Sequence, residues 1–204
     1  MDLYFSPLAC SLGARIALYE AGAEAGYYHV DAATKTTQGH DYREINPKGL
    51  VPAIRTVDGD VLSENAAVLQ YIADCFPKAR LAPAAGPERY RLQQWLSFVG
   101  SELHKAVFAP LLGRNSNDGA RDYARSLAPE RFDYLDAHLA GRDWLLGSFS
   151  VADAYLAAVL NWAPYVKIDL GRWPAVAAYR DRLAARPSVA RAVAEEMDLF
   201  RQAA

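Results

Sequence analysis

Residues 3–18 read LYFSPLACSLGARIAL and decide how the fold begins. The apolar run 3–6 predicts a short buried strand, Pro7 interrupts it, and the apolar spacing over 11–21 predicts a helix. Cys10 therefore falls in a strand-to-helix turn, beside a helix N-terminus. Because unpaired N–H groups and the helix dipole favour an anion there, we expect a lowered pKa for the Cys10 thiol. The alternative is a small buried hydrophobic residue, which is what most free cysteines are.

The residues that follow, up to about 78, alternate between strand and helix patterns. Strands are predicted over residues 27–30, 53–57 and 61–62. Asp58 and Gly59 form a hairpin signal between the last two strands, and Ser63 can cap a helix that runs to about residue 76. A right-handed crossover followed by a hairpin makes a mixed four-stranded sheet with helices packed on it. The sequence predicts a thioredoxin-like α/β domain over residues 1–78.

Residues 77–87 are rich in proline and small residues and indicate a linker. Helices are predicted beyond it over 88–114, 122–139, 152–160, 173–185 and 188–200. The helix at 152–160 is apolar nearly all round, so it belongs at the centre of a bundle. Ser150 and Asp153 form a capping-box pattern at its start, which favours capping over catalysis for Asp153. An all-helical second domain is therefore predicted over residues 87–204.

The composition excludes several classes of protein. A chain of 204 residues with 52% hydrophobic residues can bury a sizeable core, and its net charge of −2 gives no support for nucleic-acid binding. Two cysteines do not make a disulfide framework, and the four histidines lack metal-site spacing, so we expect no metal. With no signal-peptide pattern and no apolar run long enough to cross a bilayer, we expect a reducing cytoplasmic location and no membrane association.

Several motifs together carry a resemblance to a known family. They are LYFSP at 3–7, ACSL at 9–12, NPKGLVPA at 46–53, LSE at 62–64, QYIAD at 70–74 and ELHK at 102–105. With these motifs the chain resembles, over essentially its whole length, a cytosolic glutathione transferase, and most closely the bacterial beta class. The resemblance implies a thioredoxin-like domain followed by an all-helical one, with glutathione as co-substrate, a small electrophilic second substrate and a homodimer.

The resemblance places glutathione contacts on particular residues of this chain. It implies a cis peptide bond before Pro52, with the backbone of Val51 pairing with the cysteinyl part of glutathione. It also implies that Ser63, Glu64 and Asn65 hold the γ-glutamyl end at a helix N-terminus, with Asn65 standing where serine is usual. N-capping is the alternative role for Ser63, and the two roles are compatible.

Other residues are implied to serve the glycine end and the sulfur of glutathione. Lys35, in the polar loop after the second strand, is implied to meet the glycine carboxylate. His104 and Lys105, on the long helix, are implied to line the cleft near the sulfur, where an imidazole can hydrogen-bond a thiol or move protons. Ser11 is a secondary candidate because its hydroxyl can bond a thiolate. The catalytic candidates are therefore Cys10, His104 and Ser11.

Three functions are compatible with these motifs. The first is activation of the glutathione thiolate for attack on small, mostly apolar electrophiles. The second is a glutathione-dependent thiol–disulfide reductase or dehalogenase that works through a mixed disulfide at Cys10. The third is a non-enzymatic ligand-binding or interaction protein, which has no need to keep an intact glutathione site. For the first, candidate wall residues of the electrophile site are Phe108, Leu111 and Trp162.

Aromatic residues on the first predicted helix of the second domain bear on assembly. Tyr90, Trp95 and Phe98 provide more aromatic surface than one chain obviously needs to cover. The resemblance implies an isologous dimer in which the first domain of one chain contacts the helical domain of the other. The alternative is that all three side chains belong to the internal core.

Overall fold

Within residues 1–203, which the computed structural model describes, six strands form two sheets. The strands are β1 Asp2–Phe5, β2 Gly26–His29, β3 Thr36–Thr37, β4 His40–Asp41, β5 Ala53–Arg55 and β6 Val61–Ser63. The main sheet has the order β2-β1-β5-β6, in which β1 is parallel to β2 and antiparallel to β5, and β5 is antiparallel to β6. The predicted mixed four-stranded, thioredoxin-like sheet is confirmed.

The helices account for most of the remaining described chain. They are α1 Leu12–Glu20, α2 Asn65–Cys75, α3 Pro87–Phe98, α4 Ala109–Leu112, α5 Asp118–Leu139, α6 Val151–Leu160, α7 Pro174–Ala184 and α8 Pro187–Ala203. A π-helical segment, Val99–Phe108, joins α3 to α4. The predicted all-helical second part is confirmed. Among the described helices, none combines the length and the apolar character that a membrane span requires.

Helix α1 joins the sheet to the helical part of the molecule. It packs against α2, α6 and α8, and its residues from Leu12 to Leu18 are buried. Gly13 makes the close contact with α6 possible, because a Cβ there would lie 3.1 Å from the Ala154 carbonyl oxygen. The turn that carries Cys10 is therefore held between the two parts of the chain.

The predicted helix over 88–114 is a continuous rod built from three helical segments. Its middle segment is π-helical, and at its end the Ala109 N–H donates to the His104 carbonyl five residues earlier. A π-helical turn widens the helix locally, and such turns occur frequently at functional sites. Apolar periodicity could not reveal this change, because it does not distinguish α from π hydrogen bonding. His104 and Lys105 lie in this widened segment.

Two local predictions in the first part are wrong. Ser63 does not cap α2: it is the last residue of β6, and Glu64 occupies the N-cap position with φ +73° and no side-chain capping bond. The polar loop predicted around Lys35 contains β3, which pairs with β4 in a two-residue hairpin. In both places the residues pair with a neighbouring strand: Ser63 with Ala53, and β3 with β4. This pairing outweighs the local preference for a helix cap or a loop.

Candidate active site

Cys10 lies in the turn before α1, where the sequence placed it. Its Sγ is 3.3 Å from the carbonyl oxygen of Val51, to which the thiol donates. Burial raises the pKa of the Cys10 thiol to about 11, although the nearby Lys105 and a hydrogen bond from Asn65 act in the opposite direction. The prediction of a lowered pKa is therefore wrong, because desolvation of the thiolate outweighs the helix terminus. Cys10 is a protonated hydrogen-bond donor at neutral pH.

The wall opposite Cys10 is the turn that precedes β5. The Val51–Pro52 peptide bond is cis. Asn46 builds the turn: its side-chain amide donates to the Leu50 carbonyl oxygen at 2.7 Å, and its backbone carbonyl accepts from Gly49 at 2.7 Å. Gly49 has φ +60°, a conformation that favours glycine. The NPKG sequence thus forms a rigid support beneath Val51.

A charged pair lies at the junction of β6 and α2. Lys48 donates a hydrogen bond to the carboxylate of Glu64, and this bond is the main reason that the pKa of Glu64 is lowered. Both side chains are well exposed, so the pair can exchange partners with a charged ligand. Next to them, the buried Asn65 donates from Nδ2 to the Cys10 carbonyl oxygen at 3.2 Å. Asn65 therefore fixes the Cys10 turn against α2.

His104 reaches the same region from the π-helical segment. Its Nδ1 lies 2.7 Å from the hydroxyl oxygen of Tyr155, and its ring meets that of Trp162 edge-on at 4.9 Å. Burial, assisted by the charge of Lys105, lowers the pKa of His104 to about 4. The imidazole is consequently neutral at physiological pH, and the positive charge beside Cys10 comes from Lys105.

These elements enclose one cleft between the sheet and the π-helical segment. Its lining residues are Cys10, Asn46, Lys48, Leu50, Val51, Pro52, Ser63, Glu64, Asn65, His104, Lys105 and Tyr155. The cleft combines a backbone edge at Val51, a thiol donor, two ammonium groups and one carboxylate. Such a set can bind an extended peptide-like molecule that carries both signs of charge. Within residues 1–203, no group of three or more metal-ligating side chains is found.

Comparisons with known proteins identify the family of the chain. The models for the glutathione S-transferase N-terminal and C-terminal domains match residues 9–75 and 101–187. Glutathione S-transferase GstA of Escherichia coli O157:H7 is 38% identical over 199 residues, which cover 96% of this chain and 98% of that protein. The chain belongs to the glutathione S-transferase family. The resemblance inferred from the motifs is confirmed.

Solved structures of other glutathione S-transferases are similar over nearly the whole chain. A sphingomonad glutathione S-transferase complexed with glutathione has a TM-score of 0.92 and 45% identity, covering 96% of this chain and 98% of that one. A bacterial beta-class glutathione S-transferase from Sphingomonas chungbukensis has a TM-score of 0.92 and 44% identity, with the same coverage. The beta class named from the motifs is therefore represented among the structural relatives of this transferase.

Two candidates from the sequence do not line the cleft of this transferase. The Ser11 hydroxyl is buried and engaged twice with Ser6, since it donates to the Ser6 carbonyl and accepts from the Ser6 N–H, both at 3.2 Å. Ser11 closes the loop and is not available to a thiolate, so that prediction is wrong. Lys35 lies outside the cleft with its Cδ beside Gly49, 3.6 Å from where a Cβ on that glycine would be.

The proposed wall of the electrophile site is also corrected for two residues. Phe108 is fully buried and packs edge-on against Phe132, and Trp162 is 6% exposed. Both belong to the core of the helical part, where their rings also pack edge-on against each other. Leu111 is half-buried and does not line the cleft.

Lys48 and Tyr155 line the cleft but were not among the site residues predicted from the sequence. Lys48 was one lysine in a turn, and only the fold brings it to Glu64. Tyr155 belongs to an otherwise nearly apolar helix, in which it carries a hydroxyl that burial obliges to find a partner. A hydroxyl on such an apolar helix was the one feature of the sequence that could have indicated a role for Tyr155. In the structure its hydrogen-bond partner is His104.

Proposed function

We propose that this protein activates the thiolate of glutathione for attack on small, mostly apolar electrophiles. The observation that carries the proposal is the single cleft in which Cys10, the backbone of Val51 and Glu64 meet. We also propose that residues 1–78 form the glutathione-binding domain and residues 87–204 the domain that lines the electrophile site. A reducing cytoplasm, which keeps glutathione as a thiol, suits this reaction.

The charges of the cleft support the orientation of glutathione that we propose. The ammonium of the γ-glutamyl end takes the place of Lys48 beside Glu64, and its carboxylate accepts hydrogen bonds at the start of α2, where Ser63 and Asn65 lie. The cysteinyl backbone then pairs with Val51 as an added strand would. This arrangement directs the sulfur toward Cys10.

The glycine carboxylate then lies on the side of the cleft that carries the lysines. Lys48, once released from Glu64, can pair with it directly, and Lys35 can approach it from the outer side of the turn near Gly49. With two carboxylates and one ammonium, glutathione carries a net negative charge that Lys48 and Lys105 complement. Electrostatic complementarity therefore supports glutathione as the ligand.

Groups around the sulfur favour its ionised form. The Cys10 thiol is a donor that can turn from the Val51 carbonyl toward a thiolate, and the Lys105 ammonium supplies positive charge. His104 is neutral and bound to Tyr155, so it can exchange hydrogen bonds without changing protonation state between about pH 6 and 8. Lowering the thiol pKa of glutathione from about 9 toward about 6–7 raises the reactive fraction near neutral pH by roughly a hundredfold.

The other two functions have weaker support. A mixed-disulfide route uses Cys10 as a nucleophile, and a thiol with a pKa of about 11 has very little thiolate at neutral pH. A purely non-enzymatic role leaves the convergence of Lys48, Glu64 and Lys105 on one cleft without a purpose. Conjugation is therefore the function that the geometry supports best.

Cys10→Ala is expected to reduce, and not abolish, conjugation of chlorodinitrobenzene to glutathione. Loss of one hydrogen-bond donor to the thiolate should lower kcat/KM by about three- to tenfold, the effect of about 1 kcal/mol. Cys75→Ala is the matched control and should leave kcat/KM unchanged, because Cys75 is exposed and outside the cleft. Complete loss of activity in Cys10→Ala would favour the mixed-disulfide route, and a wild type that binds no glutathione in calorimetry would refute the transferase proposal.

We further propose that the protein is an isologous dimer. Trp95 is only 4% exposed and packs against Phe98 and Tyr134, so it belongs to the core and not to an interface. Tyr90 is 71% exposed and Tyr134 is 48% exposed, so both rings are available for contact with a second chain. These exposed rings on α3 and α5 support the contact that we propose.

Light scattering coupled to size exclusion is expected to report about twice the chain mass of 22.4 kDa at micromolar concentration. Tyr134→Glu should shift the mass toward that of one chain, because a buried unpaired carboxylate is costly at an interface. Tyr165→Glu is the control, since Tyr165 is similarly exposed, at 55%, but lies between α6 and α7. A wild type that elutes as a stable single chain would contradict the dimer and leave the cleft assignment intact.

A further inference from the structure

Leu8 is the most constrained residue of the turn that carries Cys10. Its φ of +57° lies in the left-handed region, which a branched side chain rarely adopts. Both of its backbone groups are held by side chains that are distant in the sequence, those of Trp162 and Glu196. The Leu8 N–H donates to Glu196 Oε2 at 2.7 Å, and Nε1 of Trp162 donates to the Leu8 carbonyl at 2.8 Å. Two buried hydrogen bonds thus keep an unfavourable backbone conformation in place.

The side chain of Glu196 is also held in place by residues other than Leu8. It is fully buried on α8, and its Oε1 lies 2.9 Å from Nε of Arg15, which belongs to α1. The guanidinium of Arg15 lies between two aromatic rings, 4.2 Å from the centroid of Phe5 and 4.4 Å from that of Tyr27. A buried carboxylate needs such a partner, and a cation between two rings has little freedom to move. The acceptor for Leu8 is therefore preorganised.

Trp162 links Leu8 to the other side of the cleft. Its ring meets that of His104 edge-on at 4.9 Å, while its Nε1 bonds the Leu8 carbonyl. One buried indole, 6% exposed, therefore contacts both the Cys10 turn and the His104 side chain. A rigid aromatic ring in this place sets the separation between the two, because neither can move without disturbing its packing.

The other hydrogen bonds of the turn couple the position of Cys10 to that of Leu8. Ser6 and Ser11 close the turn from inside through their two mutual hydrogen bonds. Because Ser6 and Ser11 join the two ends of the turn, its remaining freedom lies between them. The hydrogen bonds from Glu196 and Trp162 to the Leu8 backbone connect this part of the turn to the helical part of the molecule. Cys10 follows two residues later, and its Sγ lies 3.3 Å from the Val51 carbonyl.

We propose that Glu196 and Trp162 are positioning residues that hold the Leu8 peptide from both sides and thereby set the location of the Cys10 sulfur. Neither side chain lines the cleft, so both act through Leu8. The consequence for catalysis rests on the proposed glutathione transferase function. The positioning itself is a property of the protein without ligand and can be measured on the Cys10 thiol directly.

The test is the rate at which iodoacetamide alkylates Cys10 in the ligand-free protein at about pH 8.5, followed by peptide mass mapping. Exposed Cys75 in the same molecule is the internal reference for the reagent. Trp162→Phe keeps an aromatic ring beside His104 and removes the donor to Leu8, and Glu196→Leu removes the acceptor. Both are expected to raise the Cys10 rate by about tenfold, as loss of about one hydrogen bond loosens the turn.

Two further variants separate positioning from general loosening. Glu196→Gln keeps an oxygen that accepts from the Leu8 N–H, so its Cys10 rate should stay near that of the wild type. Glu195→Gln is the matched control on α8: Glu195 also pairs with Arg15, at 3.1 Å, but does not touch Leu8. Its Cys10 rate and its conjugation activity should both be unchanged.

An unchanged Cys10 rate in Trp162→Phe would overturn the proposal, and this variant decides the question if Glu196→Leu does not fold. An equal rise in Glu195→Gln would also overturn it, since loosening of α8 would then be the cause. Calorimetry with glutathione on the same variants should show weaker binding in Trp162→Phe. A wild type that binds no glutathione would refute the transferase function, while the alkylation rates would still decide the role of Glu196 and Trp162.

Discussion

Asp153→Ala is expected to lower the free energy of unfolding by about 3–5 kcal/mol, the range for leaving several buried polar groups without their partner. The carboxylate of Asp153 is fully buried at the start of α6. It accepts from the backbone N–H groups of Leu145 and Ser150 at 2.9 and 2.8 Å, and from the hydroxyls of Ser150 and Tyr179 at 2.7 and 2.6 Å. Removing it leaves four donors unpaired in the core.

Urea unfolding followed by circular dichroism measures this loss. Asp169→Ala is the matched control, because Asp169 also accepts from a backbone N–H, that of Gly171 at 2.9 Å, but at an exposed turn. Its cost should be about 0.5–1 kcal/mol, as for a surface cap. Equal costs for the two substitutions would contradict the role of burial at Asp153.

Asp153→Ala should also disturb the position of Tyr155 in the active site, since both residues belong to α6. Asp153→Asn keeps one acceptor oxygen and should cost less than Asp153→Ala. Because burial already raises the pKa of Asp153, the neutral amide should be tolerated better than the empty space.

Glu64→Ala is expected to weaken glutathione binding by about 1.5–3 kcal/mol, or about ten- to a hundredfold in Kd. The exposed carboxylate is already poised as an anion by its hydrogen bond from Lys48. In the proposed complex it pairs with the γ-glutamyl ammonium. Removing it eliminates that charge-assisted bond and leaves the ligand ammonium without a negatively charged partner.

Isothermal calorimetry with glutathione measures the change in Kd. Glu64→Gln keeps an acceptor without the charge and should fall between the wild type and Glu64→Ala. Glu88→Ala is the control: Glu88 is similarly exposed on α3, pairs with Arg91 and should not affect binding. An unchanged Kd in Glu64→Ala would mean that glutathione binds in another orientation, or elsewhere.

The sequence alone predicted most of the elements and the positions of most cleft residues. The strand at 3–6, the turn at Cys10 and the helix after it follow from apolar spacing and one proline, which are local properties. The motif at 46–53, which carried part of the family resemblance, is also local, because Asn46 and Gly49 act within a single turn. The capping box at Ser150 and Asp153 is likewise a local pattern, and both of its bonds are present.

Tertiary packing alone decided how these residues behave. The pKa of Cys10 is raised because the effect of burial outweighs that of the helix terminus. The hydroxyl of Ser11 is bound to Ser6, and the hydroxyl of Tyr155 is bound to His104. Likewise, Lys48 and not Lys35 lines the cleft, because the turn brings Lys48 to Glu64. Desolvation and hydrogen bonding depend on the atoms that distant parts of the chain bring together. Local spacing therefore determined which strand, turn or helix each of these residues belongs to. Tertiary packing determined the charge state of its side chain and its hydrogen-bond partner.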